Sequence, residues 1–258
     1  MLQNHSTMHC RPERRQIGRK ALRVIALSTF VLAICSLALP QTKASSAKPA
    51  QNASSLEPVL QQMDSTAEQF RSAEADFTWE QYQKVVNETD TQKGKVYFRR
   101  SGKGETQMAL NIQSPEQRTV VFADGKLRVY QPKIEQVNEY DAGKNRDEFQ
   151  SFLVLGFGGR GHDLQKQFEV KFAGNEAVDG VNTAKLELTP KSPKVKNMFE
   201  KITIWIDPPR GISLKQQFFE PSGDYRITHY TNIKLNTRVS DDVFKLHTSG
   251  RTKTVKGK

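Results

Sequence analysis

Cysteine is scarce in this sequence, and its placement excludes two kinds of chemistry. The 258 residues contain two cysteines, Cys10 and Cys35, both near the start of the chain. The remainder therefore has neither a disulfide framework nor a thiol nucleophile. Roughly 210 residues can still bury a core large enough to fold without cross-links.

Catalytic motifs are also missing. The sequence contains no HExxH pair, no GxSxG elbow and no P-loop. Beyond the first 44 residues the histidines are scattered at His162, His229 and His247. Asp241 and Asp242 are adjacent, so on a strand they would point to opposite faces and could not act as a pair. We therefore predict that the chain is not an enzyme, and we predict no metal site and no cofactor.

A glycine-rich segment, Gly156–Gly161, matches the formal pattern G-x-G-x-x-G. A dinucleotide site needs a strand before these glycines and a helix after them. The pattern before this segment is helical, and the pattern after it is strand-like. We therefore interpret the segment as a flexible hinge or a helix C-cap.

The first 44 residues have the pattern of an export signal. A basic segment ends at Arg23, and the apolar run Val24–Leu39 of 16 residues follows it. Small residues come next, with Ala38 and Ala44 as candidate cleavage positions. This order of basic, apolar and small residues predicts a secretory signal peptide over residues 1–44.

Three other interpretations of this leader stay open. The apolar run could be an uncleaved membrane anchor, although it is shorter than the about 20 residues that span a bilayer comfortably. Arg14 and Arg15 allow a twin-arginine signal. The segment ending at Cys35 allows a lipoprotein cleavage box, with Ile34 where a small residue is expected.

Positive charge is concentrated in the leader. Seven of the 39 Lys and Arg residues and one of the 28 acidic residues lie within residues 1–44, so the formal net charge falls from +11 to +5 beyond them. No stripe of basic residues with interleaved aromatics follows. We therefore predict no nucleic-acid partner.

The leader is followed by a linker and then by an amphipathic helix. Residues 45–54 are rich in Ser, Ala, Lys and Pro and predict a flexible linker. Ser54 and Glu57 have capping-box spacing. From Leu56 to Phe70 apolar residues recur at intervals of three and four, which predicts a helix of about 16 residues. Its apolar stripe fits packing on a sheet or lining a ligand cavity.

The pattern then changes to a period of two. Turn signals near residues 90, 102, 115, 124, 132 and 142 separate short alternating runs, which predicts a sandwich, a barrel or a strongly curved sheet. Residues 119–140 hold three such runs around Asp124-Gly125 and Gln131-Pro132-Lys133.

Three further segments have their own local predictions. The polar residues 87–93 predict a turn between strands. Residues 145–155 predict a helix, and residues 249–258 predict a loose basic tail.

Three pieces of the sequence form a recognisable pattern. They are a strand from a glycine to an arginine, Gly94–Arg100; a central line of Asp124-Gly125-Lys126, Tyr130-Gln131-Pro132 and Glu135-Gln136-Val137; and the late segment Ile204–Asp207. Over about residues 55–247 this pattern resembles the LolA-type periplasmic carriers of outer-membrane lipoproteins. We place the carrier domain at residues 55–248.

The resemblance implies a mainly β fold with helices (α+β). A curved antiparallel half-barrel sheet would surround a hydrophobic cavity, covered by the N-terminal helix and by a mid-chain helical lid, 145–155 with Gly156–Gly161. It implies a periplasmic monomer that binds lipoprotein acyl chains or other lipid. Such a carrier would collect its cargo from an inner-membrane release complex and pass it to an outer-membrane acceptor, as part of outer-membrane biogenesis.

Two other functions stay open on the same fold. One is an envelope protein that binds or senses lipid or lipoprotein. The other is a structural envelope protein whose concave face is filled by side chains. A continuous cavity of several hundred cubic ångströms would favour a carrier or a sensor over the structural protein.

Strand parity and the resemblance give the candidate binding residues. Parity alone predicts that eight strand residues line the cavity, although each also fits an ordinary core: Phe77, Trp79, Val96, Phe98, Leu127, Val129, Ile204 and Ile206. Phe149 and Phe152 would add the apolar face of the lid helix. The resemblance implies that Arg100 holds the lid shut by binding backbone carbonyls, and Ser101 follows it where the family usually has proline.

Overall fold

The N-terminal helix packs one apolar stripe onto a large sheet. A computed structural model describes residues 55–102, 105–141, 143 and 155–257. Helix α1 spans Leu56–Gln69, and its buried residues recur at helical spacing: Val59, Leu60, Met63 and Ala67. Ser55 precedes it as the N-cap without a side-chain cap hydrogen bond. The predicted leader (1–44), linker (45–54) and capping residue Ser54 lie outside the described residues.

Twelve strands form one open sheet in the described residues. They are β1 (Ser72–Gln83), β2 (Glu88–Arg100), β3 (Thr106–Ser114), β4 (Arg118–Ala123), β5 (Lys126–Gln131), β6 (Gln136–Asp141), β7 (Phe168–Val178), β8 (Val181–Pro190), β9 (Lys201–Asp207), β10 (Ile212–Phe219), β11 (Tyr225–Leu235) and β12 (Lys253–Lys256). Their order across the sheet is β12-β6-β5-β4-β3-β2-β1-β11-β10-β9-β8-β7. The predicted mainly β fold with an open, predominantly antiparallel sheet is confirmed.

The three central strand predictions are confirmed as β4, β5 and β6. Asp124 and Gly125 join β4 to β5 with φ angles of 53° and 73°, as a primed hairpin turn requires. A short 3₁₀ helix at Pro132–Ile134 separates β5 from β6. Proline, which has no N–H to donate to the ladder, starts this break.

The predicted turn at residues 87–93 is wrong, because most of that polar run is strand. The turn occupies Lys84–Asn87, and Gln83 of β1 pairs with Glu88 of β2. Asn87 takes a φ of 53° and closes the turn. The polar side chains then pair across the hairpin, with Gln83 Nε2 donating to Asp90 Oδ2 at 2.8 Å.

Short helices add to the fold where the sequence predicted strand or coil. Helix α2 spans Gly161–Gln167, directly after the glycine-rich segment and before β7. Helix α3 is a single turn at Pro193–Lys196, and Asp241–Phe244 forms a 3₁₀ turn. The strand expected straight after Gly161 therefore begins one short helix later, at Phe168.

The chain's basic tail also differs from the prediction. Lys253–Lys256 forms β12, which pairs in parallel with Gln136–Glu139 of β6. Its backbone hydrogen bonds to the sheet edge hold it in place, although its side chains are exposed. Among the described residues, no helix is long and apolar enough to cross a membrane.

The α1 stripe covers one half of the concave face. Val59 and Met63 pack with a fully buried group from β8 and β9: Ala184, Leu186, Leu188, Ile202, Ile204 and Ile206. Phe218 of β10 belongs to the same cluster. Over the other half of this face, from β1 to β5, the described residues leave an open space.

Candidate functional site

An apolar cavity of about 540 Å³ lies over this second half of the concave face. Its apolar walls come from β1 to β5, β10 and β11, namely Phe77, Trp79, Val96, Phe98, Met108, Leu110, Ile112, Val120, Leu127, Val129, Phe218 and Tyr230. Several of these side chains stay partly exposed within the cavity, including Leu110, Val120, Leu127 and Val129. Aliphatic surface that remains uncovered inside a concave space is suited to binding an apolar ligand.

Six of the eight strand residues predicted from parity line this cavity. Phe77 and Trp79 alternate on β1, Val96 and Phe98 on β2, and Leu127 and Val129 on β5. Side chains two positions apart on a strand lie on the same face, so when one of them faces the cavity the other does too. Their part in binding a ligand stays a proposal.

Ile204 and Ile206 do not line the cavity. Both are fully buried beneath α1, where they pack with Val59 and Met63. They lie on the concave side as parity requires, since Phe218 packs with them and also lines the cavity. The helix covers that end of the sheet, so these two residues form ordinary core.

Phe157 is a cavity neighbour that sequence reasoning missed. It is 1% exposed, its ring stacks on Phe98 with centroids 4.7 Å apart, and it meets Tyr230 edge-on at 4.9 Å. Phe98 and Tyr230 both line the cavity. A large aromatic between glycines was the available signal, because a phenylalanine in an exposed loop would leave its ring in water.

Hydrogen bonds hold the segment carrying Phe157 against β10. Gln216 Nε2 donates to the carbonyl of Leu155, and the backbone N–H of Ser213 donates to the carbonyl of Gly156 at 2.8 Å. Tyr230 Oη donates to Gln216 Oε1 at 3.2 Å. The segment is therefore tied to a side chain of the cavity wall.

Arg100 binds two backbone carbonyls, as the resemblance implied. Its Nη1 donates to the carbonyl of Ala67 at 3.2 Å, and its Nη2 donates to that of Gly158 at 3.1 Å. Ala67 is in the last turn of α1, where a cation is favourable, and its carbonyl also accepts from the backbone N–H of Phe70 at 3.3 Å. One guanidinium thus joins the helix that covers one half of the face to the segment beside the cavity.

The glycines of this segment are packed against protein. A Cβ on Gly158 would overlap the ring of Phe70, one on Gly156 would overlap Ser213, and one on Gly161 would overlap the backbone of Leu60. Gly156 and Gly158 also have φ angles of 77° and 72°. Close packing against other parts of this chain explains these glycines better than a free hinge does.

One end of the cavity is polar. Trp79 Nε1, Gln92 Oε1 and Arg118 Nε line it, are buried, and have no hydrogen-bond partner within the described ranges. Each such group costs about 1–3 kcal/mol when it is left unsatisfied. Arg226 also lines this end and lies against aromatic rings.

A histidine fixes α2 to α1. His162 Nδ1 lies 2.5 Å from Asp64 Oδ2, and Nε2 lies 3.3 Å from Glu57 Oε1. The hydrogen bond to Asp64 raises the pKa of His162 above its usual value. Burial raises the pKa of Asp64, but hydrogen bonds from the side chain and backbone of His162 outweigh it, so this pKa ends below its usual value. The pair anchors the helix that follows the glycine-rich segment.

The predicted lid helix lies almost entirely outside the described residues. Phe149 and Phe152 lie outside the described residues, so their expected role stays a prediction. Leu155 is described, and it is buried in a turn beside α1. No group of three or more His, Cys, Asp or Glu residues that could hold a metal ion occurs in the described part of the chain.

The model of the family described as "Outer membrane lipoprotein carrier protein LolA" matches residues 68–247. The chain belongs to the LolA family. Its members are binding and carrier proteins of the cell envelope, associated with lipoproteins and lipid, and the open sheet with an N-terminal helix is the LolA-like fold. No curated protein matches the sequence.

Several solved structures resemble the chain at low sequence identity. The MucA/MucB complex of Pseudomonas aeruginosa matches with 14% identity and a TM-score of 0.46, over 74% of this chain and 60% of that one. An uncharacterized conserved protein from Thermus thermophilus matches with 11% identity and a TM-score of 0.49, over 78% of this chain and 98% of that one. A LolA superfamily protein from Nitrosomonas europaea matches with 15% identity and a TM-score of 0.38, over 75% of this chain and 99% of that one. The chain thus spans about 60% of the length of MucB.

Proposed function

We propose that this LolA-family chain carries acylated cargo through the periplasm toward the outer membrane. The observation that carries the proposal is the open apolar cavity of about 540 Å³ bounded by Phe77, Leu110 and Val129. Each buried CH₂ contributes about 0.8 kcal/mol, so acyl chains need such a cover to cross water. The cavity also favours a carrier or a sensor over a structural protein with a filled concave face.

Release needs a cavity that can close again without cargo. In the structure Phe157 stacks on the cavity residue Phe98, and Arg100 binds Gly158 beside it. We infer that acyl chains displace this segment on binding and that its return favours release. Exchange between partners then needs only comparable affinities for cargo, with no covalent step.

The proposal includes export by the leader. Cleavage after residues 1–44 would deliver the carrier to the periplasm, where an inner-membrane release complex would supply cargo and an outer-membrane acceptor would receive it. Intact-mass measurement of the protein extracted from its own cells tests this part. A mass matching the full 258 residues would exclude cleavage.

Binding is tested with a triacylated lipopeptide and native mass spectrometry. Val129→Glu places a charge on the cavity wall, and we expect it to abolish the bound species. Val85→Glu makes the same chemical change at a turn residue that is 94% exposed, and it should bind as the unaltered protein does. Failure of the unaltered protein to bind the lipopeptide or any other acyl lipid would refute the carrier.

A further inference from the structure

The polar end of the cavity holds two arginines and an indole donor. We propose that the acyl ligand of this cavity bears an anionic headgroup, which Arg118, Arg226 and Trp79 bind together. This inference rests on the proposed function, since it assumes that the cavity takes acyl chains. It adds the chemical class of the ligand: an acidic amphiphile, with a phosphate or a carboxylate at the head.

Strand register places Trp79, Gln92 and Arg226 on neighbouring strands, away from the Phe157 segment. Trp79 pairs with Gln92 on one side and with Thr228 on the other, and Arg226 lies two residues before Thr228 on the same face. Arg118 lies on β4, two strands from Gln92, where it pairs with Ile112 and lines the same cavity.

The apolar residues lie towards the other end of the same strands. Phe98 pairs with Met108, and Met108 with Phe122, which pairs with Leu127. The cavity is therefore polarised along the strands, with donors at one end and aliphatic and aromatic groups at the other. An amphiphile likewise has a polar headgroup at one end and apolar chains at the other.

Arg118 offers an uncommitted donor. Its Nε is buried and has no hydrogen-bond partner in the part of the chain that the structure describes. The nearby carboxylate of Glu116 is held by Lys133, with Nζ and Oε1 2.6 Å apart. Lys133 is the main partner of this carboxylate and Arg118 attracts it only weakly, which leaves the Arg118 Nε available to an incoming anion.

Arg226 is a cation among aromatic rings. Its Cζ lies 4.7 Å from the ring centroid of Trp79, 5.0 Å from that of Phe218 and 5.6 Å from that of Phe199. Glu220 exerts some attraction, but across the described residues no carboxylate forms an ion pair with Arg226. Burial lowers the pKa of Arg226. A guanidinium stays protonated in proteins, so a buried anion would compensate its charge.

The two neutral groups fit the same headgroup. Trp79 Nε1 can only donate, so it suits an anionic oxygen. Gln92 Oε1 accepts, so it suits a hydroxyl next to that anion, as in a glycerophosphate. Both atoms are unpartnered within the described residues, and a ligand with an acidic, hydroxylated head would satisfy them together.

The test compares lipids that share one palmitoyl chain. The purified full-length protein is titrated calorimetrically with palmitoyl lysophosphatidylglycerol, palmitate and neutral monopalmitoylglycerol. We expect the lysophosphatidylglycerol to bind about tenfold or more tightly than the neutral lipid, because charge-assisted hydrogen bonds are about twice as strong as neutral ones. If palmitate binds as tightly as the lysophosphatidylglycerol, any anionic headgroup is sufficient. If palmitate binds more weakly, the site recognises phosphate.

Matched variants locate the effect. Arg118→Gln and Arg226→Gln should each remove most of the preference for the acidic lipid over monopalmitoylglycerol, whereas Arg118→Lys should keep part of that preference. Arg251→Gln is the control, since its side chain is 84% exposed on the far tail and pairs with Glu135.

Two results overturn the inference, and they are distinguishable. If the unaltered protein binds the neutral and acidic lipids equally, or if Arg118→Gln and Arg226→Gln keep the preference, the anion site is wrong and the carrier proposal stands. If the protein binds none of the three lipids or a lipopeptide, the carrier proposal fails as well.

Discussion

Phe157 and Phe98 stack with ring centroids 4.7 Å apart and planes 15° apart, so a loop side chain packs against a residue of the cavity wall. Phe157→Ala should lower the free energy of unfolding by about 3–5 kcal/mol, the usual cost of emptying a buried phenylalanine site. Urea denaturation measures this change. Phe157→Leu keeps most of the volume and should cost much less. A negligible loss for the alanine variant would show that the ring contributes little to the closed segment.

Arg100 is expected to control release. Arg100→Leu removes two charge-assisted hydrogen bonds, to Ala67 and to Gly158, worth about 1.5–3 kcal/mol each. The empty, closed arrangement loses this stabilisation, so bound lipopeptide should leave more slowly, by about tenfold or more. Transfer of a fluorescent lipopeptide to vesicles measures the rate.

The control for this variant is Arg71→Leu. Arg71 is exposed nearby, and only its backbone makes hydrogen bonds within the described residues. Release from Arg71→Leu should match that of the unaltered protein. If a folded Arg100→Leu variant releases cargo at the normal rate, Arg100 is not the latch.

Gly158 permits the close contact with Phe70. Gly158→Ala would put a Cβ into the Phe70 ring and strain a φ of +72°, whereas Gly180→Ala meets similar strain at +78° with nothing within 4 Å. The strain alone costs about 1–2 kcal/mol. We expect Gly158→Ala to lose clearly more stability than Gly180→Ala in chemical denaturation. Equal losses would mean that the segment moves away at no cost.

The contact between His162 and Asp64 predicts a pH dependence. The folded state raises the pKa of His162, so its contribution to stability is complete below the unfolded value of about 6.5 and is lost as the pH rises through the folded value. The pKa of Asp64 is lowered, so its contribution is present above about 3.8 and is lost as the pH falls through the folded value.

Thermal melting between pH 5 and pH 9 measures this linkage. The difference in Tm between the unaltered protein and His162→Gln should be largest near about pH 5.5 and should shrink as the pH rises through the raised pKa of His162. Asp64→Asn should remove the same dependence. A difference that stays constant with pH would assign the contact to packing rather than charge.

The sequence predicts the local parts of the site well, because they depend on short-range rules. Two-residue periodicity identified Phe77 and Val96 on one face of the sheet, and the Asp124-Gly125 pair fixed a hairpin. Parity could not separate Val129 from Ile204, since it gives the face but not which part of that face α1 covers.

Long-range placement explains what was missed. Phe157 reaches Phe98 only because glycines let its segment pack against Phe70 and Ser213. Arg118 and Arg226 look like ordinary surface charges in the sequence. The sheet order brings both to one cavity from strands far apart in the chain.

Strand β1 has a consequence for the order in which the molecule assembles. It lies between β2, its neighbour in the sequence, and β11, near the other end, with Ala73 paired to both Phe98 and Leu235. The hairpins from β2 to β6 can form from local contacts, but β1 keeps an unpaired edge until β11 has been synthesised. The wall made by Phe77 and Tyr230 is therefore completed late in folding, and a chain that stalls before β11 exposes an apolar strand edge to aggregation.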